Sequence, residues 1–164
     1  MTALILQDLP NPLRGDLRII VRDAVTREPI RRLLIKNTIT YGALNAITQL
    51  LAQLTGTTIA NFKIASLRVG TDPTAPVRTQ TDLIVPIFTI PLSNVPGEDK
   101  IISVAPYELK ILTTLEAGDA NGYTLQEAGL FLSNNTMFSR QTHPSLPKSS
   151  AVVIDYDWRL EFTA

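Results

Sequence analysis

Residues 152–162 read Val152-Val-Ile-Asp-Tyr-Asp-Trp-Arg-Leu-Glu-Phe162. Val152, Ile154, Tyr156, Trp158, Leu160 and Phe162 alternate with Val153, Asp155, Asp157, Arg159 and Glu161. Strict period two over this length puts the two sets of side chains on opposite faces of a β-strand. One set is wholly apolar and the other almost wholly charged. The stretch therefore predicts a long antiparallel strand with one face in a core and one in water, as in a two-layer sheet.

The same pattern recurs upstream. Leu17, Ile19 and Val21 alternate with Arg18, Ile20 and Arg22, and Ala24 to Pro29 supplies a turn into a second strand, Ile30 to Lys36. Ile64, Leu67 and Val69 mark a strand ending at Gly70, followed by a loop at Asp72-Pro73 and Ala75-Pro76. Leu83 to Ile90 reads as an edge strand because Pro86 cannot donate to a ladder. Ile101 to Leu115 reads as one long strand interrupted near Pro106, and Glu116 to Gly122 as a hairpin loop. Tyr123 to Leu132 and the short Met137 to Gln141 are strands, and Thr142 to Ser150 is a loop by its two prolines.

One segment has helical spacing. After a cap at Thr38 or Thr40, Tyr41 to Leu54 places Leu44, Ile47, Leu51 and Leu54 on one face with Leu50 beside them, and Gly56 ends it. The remaining face, with Asn45, Thr48, Gln49 and Gln53, is uncharged. That composition suits a core helix with a neutral face or a helix contacted on both sides.

The first sixteen residues are different. Leu9-Pro-Asn-Pro-Leu13 resists helix formation, and Arg14-Gly15-Asp16 suits a turn into the first strand. Leu4, Ile5, Leu6, Leu9 and Leu13 are too much apolar surface for a solvated tail, so the arm is expected to dock, with these five as interface anchors. The organisation predicted is an extended arm at 1–16 and a single mainly antiparallel β-sandwich domain at 17–164, with one helix at about 40–54.

Composition narrows the chemistry. A chain of 164 residues, 45% hydrophobic with mean hydropathy +0.13, has apolar surface for one core and is not of the disordered class. Fifteen basic residues balance fifteen acidic ones, without the excess that phosphate binding favours, so no nucleic-acid partner is expected. The charge is uneven: residues 14–36 carry seven basic and three acidic side chains (+4), and residues 108–164 four basic and seven acidic (−3). This is either ordinary surface variation or a basis for head-to-tail contact between copies. There is no cysteine, hence no disulfide or thiolate ligand, and no apolar run of membrane-spanning length. The N-terminal residues lack a signal peptide's basic flank, and synthesis in a cytoplasm is expected.

Catalytic patterns are weak. His143, the only histidine, sits beside Pro144 without a nucleophile in recognisable order. Asp155, Asp157 and Glu161 share an outward face and could attract calcium, but Arg159 among them favours a solvated charged face. No phosphate loop, nucleophile elbow or dinucleotide fingerprint is present. No catalytic residue, metal site or cofactor is assigned, and the chain is expected not to be an enzyme.

Two groups of segments carry a resemblance. The first is Lys36-Asn-Thr-Ile-Thr-Tyr-Gly-Ala-Leu-Asn-Ala-Ile47, with Ile64-Ala-Ser-Leu-Arg-Val-Gly-Thr-Asp-Pro-Thr-Ala-Pro76 after the helix. The second is Gln126-Glu-Ala-Gly-Leu-Phe-Leu132, Met137-Phe-Ser-Arg140, Leu146-Pro-Lys148 and the strand containing Trp158. In this order they resemble small structural proteins of tailed-bacteriophage virions, of the tail, baseplate or fibre-attachment type, over roughly residues 36–164. The resemblance implies a virion subunit, assembled in the host cytoplasm as a ring or trimer. Its partners would be copies of itself and other virion proteins: baseplate, tail tube or fibre. A capsid decoration protein and a carbohydrate-binding sandwich module are the alternatives. Within the resembling segments, Glu127 is placed to pair with Arg140 or Lys148 across the sheet, as an ordinary surface pair.

Overall fold

The computed structural model describes residues 13–52, 59–92, 101–105 and 108–162, with the side chains of residues 59, 101–105 and 162 left aside. Among the described residues ten strands form two five-stranded antiparallel sheets that face each other across a shared core, the expected mainly β-sandwich with one α-helix.

The first sheet contains β1 (Leu13–Asp23), β2 (Pro29–Lys36), β6 (Ile101–Ala105), β7 (Glu108–Leu115) and β10 (Val152–Phe162), in the order β2-β1-β10-β7-β6. The second contains β3 (Thr38–Ile39), β4 (Ile64–Gly70), β5 (Pro86–Pro91), β8 (Thr124–Leu132) and β9 (Met137–Pro147), in the order β3-β9-β8-β4-β5. The stretch at 152–162 is the central strand of its sheet. Ile154, Tyr156, Trp158 and Leu160 are buried in the core, against Leu17 and Ile19 of β1 and Ile111 and Leu115 of β7.

Several elements differ from the sequence reading. β1 begins at Leu13, and Arg14-Gly15-Asp16 is strand, opposite Arg159, Leu160 and Glu161 of β10. Gly15 serves a close approach and not a turn: a Cβ there would lie 2.8 Å from the Arg159 carbonyl oxygen and 2.8 Å from Asn37 Nδ2. Residues 101–115 are two antiparallel strands, with Ala105 opposite Glu108 and Ile101 opposite Ile111. The segment after Leu115 is not a hairpin loop, because β7 and β8 belong to different sheets and the chain crosses the sandwich there. β9 runs to Pro147, through the predicted loop. β3 pairs only with Ser139 and Arg140, so the later part of β9 has β8 as its one neighbour in the sheet and can carry Pro144 and Pro147 on its other edge. Leu83 to Val85 lie outside the strand, and β5 starts at Pro86 on the sheet edge.

Helix α1 (Tyr41–Ala52) starts where Thr40 Oγ1 accepts the Ala43 N–H at 3.1 Å, so Thr40 is the cap. Its buried positions are Ala43 and Ala46, with Leu44 and Ile47 partly buried against the core, while Leu51 is 79% exposed. The expected leucine face is thus rotated. Small side chains let α1 lie close to β9, where a Cβ at Gly42 would sit tightly against Thr136 Cγ2 (3.0 Å) and the Met137 carbonyl oxygen (3.2 Å). The expected Leu54 and Gly56 contributions lie outside the described residues.

Candidate functional site

A buried polar cluster lies on the outer face of the second sheet. Glu127 on β8 and Arg140 on β9 are fully buried and meet at 2.9 Å (Nη2–Oε2), with Arg140 Nε donating to the same oxygen at 3.0 Å. The carboxylate also accepts the N–H groups of Val85 (2.8 Å) and Ile84 (3.1 Å). Arg140 Nη1 donates to the Thr74 carbonyl (2.9 Å) and Gln80 Oε1 (3.1 Å). The pair is therefore not the expected surface pair. It pins the 71–85 crossing, which joins β4 to β5, flat against the sheet, and its backbone partners offset the cost of burying both charges.

A small second core fills the gap beneath: Leu83, Phe131 and Met137, with the Arg68 guanidinium 3.9 Å above the Phe131 ring. Two glycines make room. A Cβ at Gly129 would meet Leu83 Cδ2 at 3.0 Å, and one at Gly70 would collide with the Val85 carbonyl oxygen and Glu127 Oε1. Lys148, the other expected partner of Glu127, instead donates to Asn121 Oδ1 (3.1 Å) and the Ser149 carbonyl (3.0 Å).

The outer face of the first sheet is a charge lattice. Asp157 is nearly buried among Lys110 (3.5 Å), Arg18 (3.9 Å) and Arg159 (3.9 Å). Asp155 accepts from Arg22 Nε (2.7 Å) and from Thr114 Oγ1 (2.9 Å), and Arg159 lies 3.7 Å from Glu108. The carboxylates considered for calcium are thus interleaved with cations. Among the described residues no group of three or more acidic or histidine side chains could hold a metal ion. The basic and acidic regions of the sequence include neighbouring strands of this sheet and partly neutralise each other within one chain, through Arg18–Asp157, Arg22–Asp155 and Arg27–Glu116.

That neutralisation is incomplete at one edge. On the outer face of β2, Ile30 and Leu34 are 62% and 71% exposed and alternate with exposed Arg32 and Lys36. Arg32, Lys36 and the neighbouring Arg14 make no ion pair among the described residues. Among the described residues β2 pairs only with β1 and is an eight-residue edge strand. Such an edge offers unpaired backbone groups to another chain. Sequence reading found the strand but missed this face. The signal was there in the consecutive Leu33, Leu34 and Ile35, which oblige at least one apolar side chain to point away from the core.

Of the five expected anchors, Leu13 is buried (3% exposed) in the domain core at the start of β1, and Leu4, Ile5, Leu6 and Leu9 lie outside the described residues. His143 is buried on β9, its Nδ1 3.1 Å from the Pro144 carbonyl and its ring 6.1 Å from that of Tyr156. Burial holds the imidazole below its ordinary pKa and pushes the Tyr156 phenol up. Among the described residues no helix is long and apolar enough to cross a membrane. No family model, curated protein or solved structure matches this chain.

Proposed function

We propose that the chain is a non-enzymatic structural subunit of a tailed-bacteriophage virion. It is a tail or baseplate component that docks copies of itself and a neighbouring baseplate, tube or fibre protein. The reading is supported by the order of resembling segments over residues 36–164. The observation that carries the docking mode is the β2 edge, where exposed Ile30 and Leu34 alternate with Arg32 and Lys36, which form no ion pair among the described residues. An added strand would gain main-chain hydrogen bonds along this edge, and side chains matching the apolar–cationic alternation would set its specificity.

The arm is the second docking element. Because Leu13 belongs to the core, the arm available for docking is residues 1–12. Antibody against the chain, imaged on particles by electron microscopy, is expected to label the tail or baseplate. Label confined to the head lattice would replace this reading with a decoration protein, and unlabelled particles would overturn it.

A further inference from the structure

A cleft of about 250 Å³ opens between the 71–85 crossing, the β8–β9 turn and the start of α1, lined by Gly42, Gln80, Thr81, Asn134, Asn135, Thr136 and Met137. Three of these side chains are carboxamides, and each has its oxygen already engaged. Gln80 Oε1 accepts from Arg140 Nη1 (3.1 Å) and from the Val77 N–H (2.9 Å). Asn135 Oδ1 accepts from Arg68 Nη2 (2.6 Å), and Asn134 Oδ1 accepts the Thr136 N–H (3.0 Å). Every one of these partners is a group that only donates, so the orientation of all three amides is fixed chemically: oxygen toward the scaffold, nitrogen left over. The three NH₂ groups make no hydrogen bond among the described residues.

Among the carboxamides of the cleft, the groups left to meet a ligand are therefore donors. None of the lining residues is acidic, and the hydroxyls of Thr81 and Thr136 can donate as well as accept. The first turn of α1, at Gly42, brings the positive end of its backbone dipole to the same place. Arg140, fully buried, holds Gln80 from behind and cannot itself reach a ligand.

We propose that this cleft binds a small carboxylate, an acceptor-only group whose two oxygens can take up the amide N–H donors that the scaffold leaves unused. Its volume suits one sugar ring or a molecule of similar size. The site is separate from the β2 edge and does not depend on the virion reading.

The test uses the full chain labelled with ¹⁵N, titrated with acetate, D-glucuronate and D-glucose while the side-chain NH₂ resonances of Gln80, Asn134 and Asn135 are followed. Acetate and glucuronate are expected to shift all three resonances with saturation in the millimolar range, and glucose to leave them in place. Tighter binding of glucuronate than acetate would identify the source as an acidic sugar, and equal binding would show that the carboxylate alone is read. The variants Gln80→Glu, Asn134→Asp and Asn135→Asp retain each oxygen and its scaffold bonds but delete the donor. Each is expected to weaken binding at least tenfold with an unchanged melting temperature. Absence of saturable shifts with either acid, equal shifts with glucose, or wild-type affinity in all three variants would overturn the proposal.

Discussion

Glu127 and Arg140 stand thirteen residues apart in the chain and become one buried unit only because β8 and β9 pair in register, with Gly129 opposite Arg140. Removing one charge leaves the other buried without a counterion. Glu127→Gln should therefore cost on the order of 3 kcal/mol, read as a lowered urea midpoint. Gly70→Ala should cost about 1–3 kcal/mol by the same measurement, because its methyl would strike the Val85 carbonyl. His143 adds a pH term. Its folded pKa lies below the ordinary value of about 6.5, so the unfolded chain takes up the proton first as pH falls. Stability should be full above pH ~6.5 and decline as pH drops toward the depressed folded pKa. His143→Gln should flatten that part of the curve in a pH series of melting temperatures, and an unchanged slope would contradict the assignment. At this scale the sequence was informative about which residues pair and silent about burial. Glu127 and Arg140 look like surface residues in any window, and only the crossing at 71–85, which periodicity cannot place, covers them.

The strands were legible wherever one face is polar. β1 and β10 declare themselves by alternation, and β10 does so because its outer face is a charge lattice. β9 was cut short at Gln141 because Pro144 and Pro147 read as loop; tolerance of proline depends on which edge lacks a neighbour, a property of the sheet and not of the strand. The division of 101–115 into β6 and β7 was hidden for a related reason, since apolar content continues across the reversal. In α1 the leucines misled, because close packing on β9 selects the alanines for the buried stripe. Two substitutions separate the readings. Leu51→Glu should change stability by no more than about 0.5 kcal/mol, as for an exposed site. Ala46→Leu should lose about 1–3 kcal/mol by overpacking the core. Thermal denaturation of both variants decides between the faces.

At the scale of the whole molecule, two sheets enclose one core, and most surface charge is satisfied within the chain. The β2 edge adds exposed Ile30 and Leu34 alternating with Arg32 and Lys36, which form no ion pair among the described residues. The 1–16 arm was read as separate, yet Leu13 already sits in β1, so truncation should stop at residue 12 to leave the core whole. The most direct measurement is the mass of the full chain in solution by light scattering, beside a chain lacking residues 1–12 and the variant Leu34→Glu. The account predicts a closed oligomer for the full chain, and folded but dissociated protein for both alterations. A full-length chain that stays monomeric at every concentration, or an oligomer indifferent to both changes, would contradict it.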